Sequence, residues 1–376
     1  MKLRLSVLMM MACATFAVAQ VQQPKIYGAV NPVNQEIGSG GYFSINADGT
    51  GYSLKEFDPN PITGFLPQGE IMAGTDGRLY GTASSGGDFM QGVVYSFKAD
   101  GTDYKVIHHF GSVSNDGASP IGNLVQLSTG ELFGVTFSGG SNMRGTIYKV
   151  KPDGSGYVVV KHFVNLEGES PRDGLILASN GKLYGTTSLG TSGASGGIYT
   201  ISQDGTGYSV LHSFNSGSGI PFSGVIQASD GMLYGTTLLD AGSNPKQGTI
   251  YKVNPDGTGY NEFHLFASSD GANPQSGVIE GQDGNLYGLI FGDGAINHNI
   301  VYKIKKDGTG FGVIHAFTND LHAQGVALAQ TPDGFLFGMG QSTLFKLMPD
   351  GSLFQSLATF NGEAGSPSGR ITDPHQ

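Results

Sequence analysis

Tryptophan is absent from this chain, and cysteine occurs once, at Cys13. Charge is scarce too: Asp, Glu, Lys and Arg make up 13% of the residues, and acids outnumber bases by ten. With a single cysteine, intramolecular disulfides are excluded as a source of stability. An acidic chain without a basic run is poorly suited to nucleic acid or to anionic membranes. Neither is expected as a partner. Beyond the first residues no apolar run is long enough to form a transmembrane helix. The missing tryptophan weakens the case for a sugar platform. Phe89, Phe137, Phe222 and Phe291, in or beside the most variable segments, are the rings left for that role.

The first residues have an organisation of their own. Met1-Lys2-Leu3-Arg4 is followed by an apolar stretch to Ala14, and Ala17-Val18-Ala19 precedes Gln20. This is the pattern of a secretory signal peptide cut after a small-x-small site, so residues 1–19 are expected to be removed. The alternative is lipid attachment at Cys13, for which Met10 and Met11 are a poor match. Lys2 and Arg4 leave with the segment, so the formal charge passes from −10 to −12. A secreted, extracellular or cell-surface location follows, and a monomer is expected.

What the chain has in abundance is glycine, 62 residues, and Tyr plus Phe, 16 and 22. They recur at fixed places. Asp-Gly stands at Asp48, Asp100, Asp153, Asp204, Asp256, Asp307 and Asp350, and five residues before each is an aromatic: Phe43, Tyr95, Tyr148, Tyr199, Tyr251, Tyr302 and Phe345. An aromatic-Gly pair recurs at Tyr27, Tyr80, Phe133, Tyr184, Tyr234, Tyr287 and Phe337. Two independent marks agree on seven copies of about fifty residues.

Within one copy the hydrophobic pattern reads as four short strands, A to D. Around Asp230-Gly231 and Asp256-Gly257 the chain must turn tightly, since Asp-Gly supplies the positive φ that hairpins need. Four antiparallel strands repeated seven times predict an all-β, seven-bladed β-propeller over residues 20–376. The first copy begins at strand B, with Lys25-Ile26-Tyr27-Gly28. Strand A is approached elsewhere through Pro and then Gly, as at Pro120/Gly122 and Pro274/Gly277. The tail repeats this at Pro367-Ser368-Gly369, so the C-terminal segment is expected to supply the missing strand and close the ring.

Asp230-Gly-Met-Leu-Tyr-Gly-Thr-Thr237, Gly248-Thr-Ile-Tyr-Lys-Val253 and Asp204-Gly-Thr-Gly-Tyr-Ser-Val-Leu-His-Ser-Phe214 resemble the GloVer-type tandem repeat of exported bacterial proteins. The resemblance covers roughly residues 25 to 372. It implies a secreted or surface-displayed bacterial protein, and it implies no enzymatic activity and no catalytic residue.

His109, His162, His212, His264 and His315 stand one or two residues before Phe110, Phe163, Phe214, Phe266 and Phe317. A residue found in most copies points to a repeated structural hydrogen bond, and the Asp-Gly aspartates point to turns. Function is sought instead where the copies differ. In a propeller the A–B and C–D turns share one face, here uniform, and the B–C and D–A connections share the other, here irregular. The repeat breaks most in copies 6 and 7. His322 takes the place of the strand A proline, Asn299 that of Gly248, and His298, Asp293 and Asp320 lie nearby. Imidazole beside carboxylate can hold a divalent metal or do acid–base work. No other cofactor is expected.

The function read from these features is binding of an extracellular glycan, polymer or protein by the irregular face. One alternative is a polysaccharide lyase or hydrolase using His298, His322, Asp293 or Asp320, with Arg144 or Arg172 holding an acidic sugar. The other is a passive structural surface protein.

Overall fold

Both faces of every blade are apolar because both are covered by the neighbouring blade. The computed structural model describes residues 25–31, 40–57, 61–191, 195–215, 219–238, 248–267, 270–271, 274, 276–290, 299–317, 328–339, 343–359 and 366–372. Within them the chain forms seven four-stranded antiparallel blades arranged as a β-propeller. Blade 3 is typical, with strands Gly117–Gln126 (A), Leu132–Gly139 (B), Thr146–Val150 (C) and Val158–His162 (D). A separate two-stranded ribbon pairs Glu167–Glu169 with Leu189–Thr191 beside blade 4.

Blade 1 confirms the expected closure. Its strands Lys25–Asn31, Gly41–Asn46 and Ser53–Glu56 are completed by Ser366–Thr372, which pairs antiparallel with Lys25–Asn31. The core consists of hydrophobic wedges between successive blades rather than one central mass. Tyr80, Val94 and Phe110 of blade 2 pack on Leu124, Leu132, Tyr148 and Val150 of blade 3. An equivalent wedge joins Ile26, Val30, Phe43 and Ile45 of blade 1 to Phe337, Met339 and Leu344 of blade 7. At that seam the Lys346 ammonium also donates to the Asp48 carbonyl, 2.6 Å away.

The sequence marks have physical causes. The strand C ring lies over the strand B glycine: a Cβ on Gly134 would overlap the Tyr148 ring, and one on Gly338 would overlap Phe345. Each Asp-Gly aspartate accepts from the amide two residues on, as Asp100 does from Thr102 at 2.9 Å and Asp256 from Thr258 at 2.9 Å. The neighbouring Thr or Ser hydroxyl adds a second bond in most copies. These hydrogen bonds hold the carboxyls of Asp48, Asp100 and Asp256 below their ordinary values. Strand A side chains join the uniform face from blade to blade. Gln126, Gln227, Glu280 and Gln330 each accept the amide of the preceding blade's A–B turn, at Thr75, Ser179, Ser229 and Gln282.

The repeated histidines are structural, but they do not all make the same hydrogen bond. His108, His212, His264 and His315, two residues before the strand D phenylalanine, stack flat on an aromatic of the next blade. His212 lies 3.5 Å from Tyr260 with the planes 11° apart, and His108 lies 3.4 Å from Tyr157. Phe311 and Phe354 take the place of tyrosine for His264 and His315. His109 and His162, one residue nearer the phenylalanine, accept instead from the B–C loop amides of Asp88 and Ser141.

Burial lowers the pKa of His212, His264 and His315 below the ordinary 6.5. The unfolded chain therefore binds protons before the folded chain does. The contribution of these rings is complete above about pH 6.5 and is lost as pH falls through the lower folded values. The melting temperature is expected to fall between about pH 7 and about pH 5. It should fall less in His212→Phe, which keeps a ring on Tyr260. Calorimetric scans at several pH values check this, and parallel curves for the two proteins would count against it.

Candidate functional site

The two faces differ chemically. On the uniform face the turn acids are committed to local bonds: Asp76, Asp230 and Asp283 accept from the hydroxyls of Tyr80, Tyr234 and Tyr287. An open depression of about 640 Å³ lies there between blades 1 and 2, bordered by Lys25, Arg78, Lys98, Asp76 and Asp100. Arg78, at its border, is ion-paired with Asp103 at 2.7 Å.

The irregular face carries exposed apolar side chains. The B–C loops of blades 2 and 3 share one construction, Gly-x-x-Met-x-Gly, at Gly87–Gly92 and Gly140–Gly145. In each, the methionine amide bonds back to the first glycine carbonyl, Met90 to Gly87 and Met143 to Gly140. Both methionines are held at positive φ, 57° and 56°, and are 56% and 73% exposed. Leu166, in the D–A connection after blade 3, repeats this at φ 71°. Phe89 of the blade 2 loop, Val113 in the D–A connection of blade 2 and Leu189 after strand B of blade 4 are exposed on the same face. Positive φ is unfavourable for such side chains, at about 1 kcal/mol or more each. Sequence reasoning named Phe89 but missed the rest of this row, although the shared glycine spacing of the two loops was readable.

Two predicted cations separate clearly. Arg144, in the blade 3 loop, is ion-paired with Glu169. Arg172 lies just after Pro171, where the chain turns into strand A of blade 4. Its guanidinium carbon is 5.2 Å from the Phe137 ring centre and 4.7 Å from that of Phe222. Those rings come from blades 3 and 5, on either side. Its Nε donates to the Ser188 hydroxyl at 3.4 Å, and Ser188 in turn donates to the Ser170 carbonyl at 2.9 Å. Burial draws the Arg172 pKa below its ordinary value. Among the described residues no carboxylate is ion-paired with it. The adjacent Asp173 instead accepts the amides of Gly174 and Gly224, both at 2.8 Å.

Asn299 is buried at the start of strand C in blade 6, and its carbonyl accepts from the Phe317 amide at 2.9 Å. Gly248 does the same for Phe266 in blade 5, so Asn299 keeps the structural role of the glycine it replaces. His298, His322, Asp293, Asp320 and Phe291 lie outside the described residues. Among the described residues no group of three or more His, Cys, Asp or Glu side chains is placed to hold a metal ion. No helix among them is long and apolar enough to cross a membrane.

A second cluster was not anticipated. Asp116, in the D–A connection of blade 2, is buried and accepts from the amides of Gly111 and Gly117, from the Tyr157 hydroxyl, and bonds the His108 ring at 3.3 Å. Burial pushes its carboxyl up, but the bonds from His108 and Tyr157 outweigh this and hold it below its ordinary value. An acid four residues before the strand A proline recurs as Glu167 and Asp270, against Lys161 and His264. Such an acid ties the D–A connection to strand D of its own blade, and at Asp116 the Tyr157 hydroxyl extends the tie to the next blade.

The family model of the Gloeobacter/Verrucomicrobia repeat matches residues 15–236 and 176–375. The chain belongs to this family. The Gloeobacter/Verrucomicrobia repeat thus accounts for the phrases that resembled GloVer sequences. Among curated proteins, no sequence matches this one. Solved structures similar to this repeat propeller include a periplasmic gluconolactonase of Pseudomonas aeruginosa. It is 13% identical, with 93% of this chain and 98% of that chain covered and a TM-score of 0.60. A protein from Lactobacillus plantarum is 14% identical, with 93% and 99% covered and a TM-score of 0.59. The oligogalacturonate lyase of Vibrio parahaemolyticus is 11% identical, with 90% and 87% covered and a TM-score of 0.53. At these identities the likeness shows the fold alone.

Proposed function

We propose that this chain is an exported binding protein that holds an extracellular glycan, polymer or protein against the irregular face of blades 2 to 4. The observation that carries this reading is the row Phe89, Met90, Val113, Met143 and Leu166, exposed on loops of one face. Three of these residues are kept at positive φ. Solubility alone gives no reason to maintain strained, solvent-facing Met and Leu, whereas a contact surface does. Methionine also adapts its shape to varied partners. The expected signal peptide at residues 1–19 agrees with a ligand outside the cell.

The test separates folding from binding. Asn tolerates positive φ better than Met or Leu, so the triple change Met90→Asn, Met143→Asn, Leu166→Asn is expected to leave the melting temperature unchanged or raised. Binding on a glycan array, measured with the mature protein, is expected to weaken at least about tenfold, the loss of roughly 1.4 kcal/mol. An unchanged binding profile in a well-folded triple variant would set this reading aside.

A further inference from the structure

We infer that Arg172 is a carboxylate-recognition subsite, and that the ligand of the irregular face is a saccharide bearing single carboxylates, of the uronic acid type. This rests on the reading of that face as the binding surface.

The geometry is that of a positioned cation. Arg172 is fixed on both flanks by Phe137 and Phe222, and its Nε is aligned by Ser188. Stacking on aromatic faces occupies the plane of a guanidinium but leaves its N–H edge for an acceptor. Ser188 takes only the Nε hydrogen, and the terminal nitrogens have no carboxylate partner among the described residues. A half-buried cation with no counter-charge among the described residues is matched by a bidentate carboxylate.

The class of anion follows from what surrounds the cation. Among the described residues of this face Arg172 is the cation left unpaired near these rings, because Arg144 is neutralised by Glu169. One guanidinium matches one carboxylate in charge, whereas a phosphate dianion calls for a second basic group. A sugar acid has one charge per ring, and its apolar C–H face suits the exposed parts of Phe137 and Phe222. Its hydroxyls suit the polar groups of the same turn, the partly exposed Ser170 among them.

The experiment uses the mature protein and four probes: uronic acid oligomers, the same oligomers with carboxyls reduced to alcohols, neutral oligomers of the parent hexose, and poly-glutamate. Titration calorimetry compares wild type, Arg172→Gln, Arg172→Lys and the triple loop variant. Wild type is expected to bind the uronate oligomers, less tightly as salt rises. Carboxyl reduction and Arg172→Gln should each weaken binding about tenfold or more, and the two losses should not add. Arg172→Lys, which keeps the charge without the fork, should fall between. If Arg172→Gln fails to fold, the lysine variant and the reduced oligomer carry the comparison.

Equal binding of uronate and reduced oligomers by wild type overturns the inference, as does binding of neither. Tighter, Arg172-dependent binding of poly-glutamate overturns the sugar assignment. Uronate binding that survives Arg172→Gln but not the triple loop change overturns the subsite and leaves the binding face standing. The converse pattern retains the subsite and removes the apolar row from the contact.

Discussion

Deleting residues 366–376 is expected to lower stability by several kcal/mol or to drive aggregation. Ser366–Thr372 is the innermost strand of blade 1, with Ala29 opposite Ser368 and Val30 opposite Pro367. Without it, Lys25–Asn31 becomes an open β edge that carries buried Ile26, Tyr27, Ala29 and Val30. The hydrophobic wedge between blades 7 and 1 would also lose its flank. An unpaired, apolar edge is a template for pairing with a second chain. Calorimetry with light scattering on the truncated protein measures both effects. A truncated protein that melts like the full chain and stays dispersed would show that the ring does not depend on this strand.

The change Gly122→Ala is expected to be nearly as damaging, at roughly 3 kcal/mol or more. Gly122 lies on strand A at φ 70°, and an added Cβ would overlap the backbone of Asp173 and Gly174 in the next blade. Gly69 stands in the same relation to Gly122, and Gly174 to Asn123. The innermost strands of blades 2, 3 and 4 thus touch backbone to backbone, and no side chain there can move aside. Gly77→Ala is the control. It sits at φ 77° with nothing within 4 Å, so only the conformational cost of about 1 kcal/mol applies. Similar denaturation midpoints for the two variants would show that the close approach is not what fixes the glycine.

The number of blades and the closing strand were legible because both repeat marks are set by backbone geometry. A ring over a glycine and an aspartate-capped turn leave little freedom in residue type, so they survive in every copy. Strand A was legible only as a position. Asp173 takes the amides of Gly174 and Gly224, which interrupts the ladder in blade 4, and pairing resumes only at Ile176–Leu177. In blade 3 the register shifts between Ile121 and Val125, around Gly122.

The candidate site was less legible for a related reason. Arg172 could be picked out as a cation beside a strand A proline. Its neighbours Phe137 and Phe222 are far away in sequence and belong to two other blades. Nothing local says that three loops converge. Arg144 has the same surface chemistry on paper, and only the pairing with Glu169 removes it. His108 was passed over for His109, because which of the two faces the next blade depends on strand direction.

The pairing of Lys25–Asn31 with Ser366–Thr372 gives the molecule the topology of a loop of chain cut once. Tyr27 and Thr372 lie opposite each other where the other blades have an A–B turn. A short Asp-Gly linker from Thr372 to Lys25 would rebuild that turn, and new ends could then be opened at Asp76-Gly77 or Asp230-Gly231. Each such circular permutant preserves every blade and moves the seam around the ring. How many blades separate the exposed row of blades 2 to 4 from the chain ends is thus set by where the circle was opened.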